Sequence, residues 1–259
     1  MNGIKATLVG LFLTLAGIAP AVDIYWNGSV DGEVTNTANW NGGVLPTFSD
    51  TAIITNTPND PNSADLCGAS NVVCYGTVGW GAFANDATFH DNSFNQGVIN
   101  SNAVFNDSSY NDFNANEIFG NATFNDNSWN GWYVVGNATF NDNSVNYGMC
   151  ISNTVFNNNS VNDGSYGGFC EYVPIVFNDN SRNINGGWVV VEGVFNDRSY
   201  NDASGGAYAT FNNSSSNGPN GTVNVSATFM GNSVNYRGMS NAVGRHGSGI
   251  FGTEVLGIQ

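Results

Sequence analysis

Six aspartates stand at one phase of a repeated phrase: Asp91, Asp107, Asp126, Asp142, Asp179 and Asp197. Each lies two residues after a Phe, and Asn158 and Asn213 take that place in two further copies. If the copies stack as turns of a solenoid, these carboxylates come within about 5 Å of one another. Like charges so close repel, and a hard divalent cation with oxygen ligands would relieve them. Ca²⁺ is therefore one chemistry the column could hold, and the only cofactor the sequence suggests. The other reading is a turn role, with each Asp solvated and screened. The chain has no EF-hand loop and no Gly-Gly-x-Gly-x-Asp phrase of the calcium-binding arrays, which favours the turn.

Catalytic groups are scarce. His90 and His246 are the only histidines and lie far apart in the chain. No G-x-S-x-G elbow prepares a Ser nucleophile. The arginines beyond the N-terminal leader are Arg182, Arg198, Arg237 and Arg245. Arg182 and Arg198 are close in repeat phase, but two guanidinium groups do not make the basic cleft that a lyase of acidic sugars needs. Carboxylate pairs for glycoside hydrolysis could be drawn from the Asp column, but the repeat makes every pair equivalent. The expectation is a protein that is not an enzyme.

Aromatic residues suit binding better. Phe94, Tyr110, Trp129 and Tyr200 share one phase, and Trp132, Tyr133 and Trp188 lie nearby. They could form a sugar-stacking stripe or a protein interface, though corner packing is the plainer role. The sequons at Asn121, Asn137, Asn158 and Asn213 fall out of the repeat itself. Four cysteines in a secreted chain imply two disulfides, with three pairings open. Cys67 and Cys74 can close a local loop. Cys150 and Cys170 occupy nearly the same place in consecutive copies, and stacked rungs about 4.8 Å apart suit a bridge. The expected pairs are Cys67–Cys74 and Cys150–Cys170.

All these residues are placed by one phrase, clearest as Asn-Ala-Thr-Phe-Asn-Asp-Asn-Ser-x-Asn at 121–130. Its anchors are Phe89, Phe105, Phe124, Phe140, Phe156, Phe177, Phe195, Phe211 and Phe229, spaced 16 to 21 residues apart. Counted from Phe, position −2 is mostly Ala, −1 is Thr or Val, and −6 is mostly apolar, with Glu171 and Gly205 as exceptions. Ser stands at +4 in all nine copies. Asn stands at +6 in all nine: Asn95, Asn111, Asn130, Asn146, Asn162, Asn183, Asn201, Asn217 and Asn235. Positions −6, −2 and 0 share parity, so on a strand they face one way and build an interior. A period of 3.6 cannot give these columns. The Asn amides can bond along the axis as a ladder, and Asn and Ser suit corners at +1 to +4. Glycines at about +7 to +10 mark a second corner. The fold class is all-β, a parallel β-helix or β-solenoid of about nine rungs with two or three short strands each.

The balance is acidic, five Lys plus Arg against 20 Asp plus Glu, a net charge of −15. No basic patch exists to neutralise phosphates, so nucleic acid is excluded as a partner. Residues 1–21 read as a signal peptide: a short n-region with Lys5, an apolar run over 6–18, and Ala19-Pro20-Ala21 as the cleavage site. The apolar run is short for a bilayer span, so no transmembrane span is expected after cleavage. Residues 22–80 carry no copy of the repeat and form a cap with irregular first rungs. There Trp26, Asn39-Trp40-Asn41-Gly42-Gly43, Pro46 and Asp50 precede Ile53-Ile54. The segment resembles the entry segment of bacterial secreted β-helix proteins, including autotransporter-like passengers. That resemblance implies secretion and a right-handed helix; the period itself admits either hand. Residues 81–237 are the Asn-rich repeats and 238–259 a C-terminal cap or tail, without the alternating strands of a membrane barrel. The expectation is a secreted cell-surface protein with a structural or adhesive role, a fibre or coat subunit among the choices. Its partners would be itself, other surface proteins or glycans. The alternative is a carbohydrate-binding or carbohydrate-active β-helix.

Overall fold

The computed structural model describes residues 21–55, 69, 71–75, 86–113, 117–171, 174–236 and 242–244. Residues 1–20 of the leader, Cys67, Arg237, Arg245, His246 and nearly all of the C-terminal segment lie outside the described residues.

The chain winds through three parallel sheets. A thirteen-stranded sheet collects the strands that end on Phe, such as Ala122–Phe124, Ala138–Phe140 and Thr154–Phe156. A nine-stranded sheet collects the short strands that carry the +6 Asn, from Phe94–Asn95 to Val234–Asn235. A third, five-stranded sheet holds Tyr133–Val134, Met149–Cys150, Phe169–Cys170, Trp188–Val189 and Ser204–Gly205. Each full rung thus has three strands, the β-solenoid that the columns imply. Like pairs with like: Phe140 sits between Phe124 and Phe156, and Asn146 between Asn130 and Asn162.

The interior combines apolar columns with a column of amides. Eight of the nine anchor Phe rings are fully shielded from solvent and Phe229 is buried. Successive rings stack with centroids 4.7–4.8 Å apart and planes within 10°. That is the sheet repeat itself, so backbone register and ring stacking reinforce each other. On the neighbouring strand the +6 Asn side chains are buried too. They lie on a strand in the core, not at a corner. Each Nδ2 donates to the Oδ1 of the next rung, in eight bonds of 2.7–3.0 Å from Asn95 to Asn235. An isolated buried amide would cost free energy; the ladder satisfies each with its neighbours.

A second amide ladder stands at +1, part-buried, from Asn106 to Asn212. Here the later rung donates to the earlier one, in six bonds of 2.8–2.9 Å. The two ladders therefore run in opposite senses. This one stops where Met230 replaces Asn, and the Oδ1 of Asn212, the last rung, is buried without a partner.

The +2 position explains the Asp column. Its φ lies between 56° and 66° in all nine rungs, carried by six Asp, by Asn158 and Asn213, and by Gly231. Asp, Asn and Gly are the residues that accept this left-handed conformation. At the second corner, glycine answers a close approach instead. A Cβ on Gly148 would lie 2.1 Å from the Trp132 carbonyl oxygen.

The expected disulfides are not formed: Cys74, Cys150 and Cys170 carry free, buried thiols. Cys150 and Cys170 do stack in register. A bridge needs Cβ atoms about 3.5–4.5 Å apart and converging, whereas in-register parallel strands hold them parallel at about 4.8 Å. The sulfurs face the amide ladder instead, Cys150 Sγ lying 3.7 Å from Asn146 Oδ1 and Cys170 Sγ 3.9 Å from Asn162 Oδ1. That register also corrects the −6 column, since extra residues before Phe177 let Cys170, not Glu171, take the inward place. Cys74 pairs with Phe89 and Ile54, and so fills the Phe slot of an earlier rung.

Residues 22–55 add their strands Asp23–Tyr25 and Thr51–Ile54 to the end of the Phe sheet. Above them Trp26 and Trp40 meet edge to face, centroids 5.0 Å apart. Trp40 donates from Nε1 to the Val34 carbonyl at 2.8 Å. Buried Asn39 accepts from the Val30 and Asp31 amides and donates to Asp31 and to the Glu33 carbonyl.

Candidate functional site

The Asp corner, the outer aromatics and the third sheet's outer face are the three surfaces that could act on something. The Asp corner is self-contained. The Asp107, Asp126 and Asp179 carboxylates accept from the backbone amides of Asp91, Asp107 and Asn158, at 3.2–3.4 Å. Asn158 and Asn213 donate from Nδ2 to Asp142 and Asp197 at 3.0 Å. Amide donors thus interleave the carboxylates. No group of three or more His, Cys, Asp or Glu side chains able to hold a metal ion occurs among the described residues.

His90 takes the +1 place of the first rung, where seven later rungs carry Asn and the ninth Met230. Its ring stacks on Tyr75 at 4.9 Å, and Nδ1 lies 3.6 Å from Asp107. Arg182 and Arg198 do not converge. Arg182 stands in the +5 column between Val161 and Tyr200, while Arg198 donates from Nε to Asn180 at 2.9 Å.

The +5 aromatics come together as expected, but not as an open platform. Phe94, Tyr110 and Trp129 are piled face on face, 5.1 and 4.3 Å apart with planes within 7°. Their faces are spent on one another and their edges meet solvent. Phe113, Tyr147 and Tyr166 extend the cluster around the corner. Burial, then the charge of Asp112, raises the Tyr110 phenol; burial, then Asp163, does the same for Tyr147. Both stay neutral in ordinary buffers. Tyr200 lies apart from these rings along the same column.

Sequence reasoning picked Tyr133 and Trp188 but missed the surface they belong to. Tyr133, Met149, Phe169 and Trp188 form one outward column of the third sheet. Val135, Ile151 and Val190 lie in a second, two residues on. The signal was present as apolar residues on both sides of the −6 column. The varied lengths of the repeats blurred it.

No family model, curated protein or solved structure matches the chain. No described helix is long and apolar enough to cross a membrane.

Proposed function

We propose that the chain is a structural β-solenoid of the cell surface, secreted through its N-terminal leader and serving as a fibre, coat or adhesive element. One observation carries this reading. The Phe stack and the +6 amide ladder run through all nine rungs, and the +1 ladder from Asn106 to Asn212, so the conspicuous Asn side chains are already engaged in holding the rod. An active site would interrupt such a pattern. The acidic surface keeps so Asn-rich a rod soluble. The resemblance of residues 22–54 to the entry segment of secreted β-helix proteins supports export. Negative-stain microscopy of the purified protein tests it: filaments or ordered arrays are expected, and single particles at every concentration would refute the fibre or coat role. N-terminal sequencing of exported protein should begin at Val22.

A second reading, a carbohydrate-binding or carbohydrate-active solenoid, is favoured by the exposed rings of Trp132, Tyr166 and Trp188. A glycan array with a reducing-end assay decides it.

A further inference from the structure

The third sheet and the nine-stranded sheet both show apolar residues to solvent, but the +5 rings of the latter have carboxylates beside them, Asp112 at Tyr110 and Asp202 at Tyr200. On the Phe sheet the outward place just before Phe holds Thr or Val, and the one two residues earlier is mostly polar, with Asn102, Asn121, Asn137 and Glu192 among its residues. On the third sheet two neighbouring columns are apolar over four rungs but for one residue. One holds Tyr133, Met149, Phe169 and Trp188; the other holds Val135, Ile151, Glu171 and Val190. All eight are at least partly exposed, Trp188 by 53%. Glu171 is their only charge. Contiguous apolar surface on an otherwise polar protein marks an interaction site.

We propose that this face binds a second copy of the chain, sheet against sheet, about a two-fold axis parallel to the solenoid axis. Two observations choose that occupant, and a third sets the strength of the contact. The first is charge. Two chains of net charge −15 repel, and they can meet closely only where carboxylates are nearly absent, as in these two columns. The second is shape. The ring column and the aliphatic column run side by side at the same heights. A two-fold axis between them lays each bulky residue over the smaller residue of the same rung in the other copy, at the roughly 10 Å spacing of packed sheets. The third is area. Eight outward side chains cover about 250 Å² of sheet, well under the roughly 800 Å² per partner of a stable complex. The contact is therefore weak in an isolated pair. In the fibre or coat proposed above, on which this last step rests, weak lateral contacts would add by avidity.

The test is sedimentation of the full exported chain from micromolar to millimolar concentration, at low and physiological salt. A dimer that appears only at the upper end and strengthens with salt is expected, because salt screens the acidic surfaces. Trp188→Ser should weaken it by about tenfold or more, with the melting temperature held as the control for folding. Glu171→Gln should strengthen it, since each carboxylate would otherwise face the Phe169 ring of the other copy. A monomer at every concentration overturns the proposal, and so does a dimer indifferent to both substitutions. Glycan binding lost in Trp188→Ser, without self-association, would give the face to sugar and also overturn it. A Trp188-dependent dimer without filaments keeps this inference and defeats the fibre reading. Filaments untouched by Trp188→Ser do the reverse.

Discussion

The cap over residues 22–55 and the rungs around residues 122–163 finish the same sheet by different means. In the rungs one solution is reused. Phe140 stacks on a Phe on either side, and Asn146 bonds to an Asn on either side. In the cap nothing repeats. Trp26, Trp40, Asn39, Asp31 and Asp50 each have one post, with partners up to 28 residues away. Repetition lets small neutral groups satisfy one another in file. An end has no next rung to borrow from, so it uses bulky rings and charged acceptors.

The largest expected effect separates the two directly. Phe140→Ala and Trp40→Ala each remove a fully buried ring and should each cost about 3–5 kcal/mol. Their reach should differ. Hydrogen exchange read by mass spectrometry should show protection lost on both sides of Phe140, because each rung depends on its neighbours. For Trp40→Ala, loss should stop near residue 55 with residues 122–163 still protected. Equal spread in both variants would erase the distinction.

Next in size is a break in the amide ladder. Asn146→Leu keeps bulk but leaves Asn130 Nδ2 without that acceptor, and the Asn162 Oδ1 and Gly148 carbonyl without that donor. Orphaned buried groups cost about 1–3 kcal/mol each, so chemical denaturation should show a loss of about 2–4 kcal/mol. An unchanged midpoint would mean that the ladder only fills space.

Acid should open the cap before the rungs. The Thr47 hydroxyl, donating at 2.6 Å, and the Thr47 amide hold the Asp50 carboxyl below its ordinary value near 3.8. The Glu33 amide, then Asn39, does the same for Asp31. A depressed folded value stabilises above the unfolded value, and that contribution is lost as pH falls below about 4 towards the folded value. The rung ladders have no proton to gain in that range. Exchange at residues 22–55 should therefore rise below about pH 4 while residues 122–163 hold, and the reverse order would overturn the comparison.

The architecture was legible because parity and period are properties of the sequence. Phe, Ala and Val fall on one face of a strand, and stacking follows. Three features were not legible, each for a physical reason. The Asn at +6 is polar, and only the ladder makes a buried post affordable, so its place in the core was hidden. Cys150 and Cys170 had the right separation, but Cβ direction decides a disulfide and spacing does not carry it. The apolar outer face of the third sheet was scattered by repeats of 16 to 21 residues, since insertions shift one column against another.

The smallest effect bears on the Asp column. Asp142 has φ 57°, and its carboxylate accepts from Asn158 Nδ2 at 3.0 Å. If conformation chose this residue, side chains should rank by their tolerance of positive φ. Asp142→Gly should then stay within about 0.5 kcal/mol of the parent, since glycine takes this φ freely and loses one exposed bond. Asp142→Ala should cost about 1 kcal/mol, and Asp142→Val more, because a β-branched side chain crowds the backbone there. The ninth rung, with Gly231 at φ 66°, already contains the first of these changes. If a cation chose the residue, the ranking changes: Gly and Ala would be equally harmful, and calcium would raise the melting temperature of the parent but of neither variant. We expect the conformational ranking, with EDTA and calcium both leaving the melting temperature unmoved, because backbone and Asn donors already interleave the carboxylates along that edge.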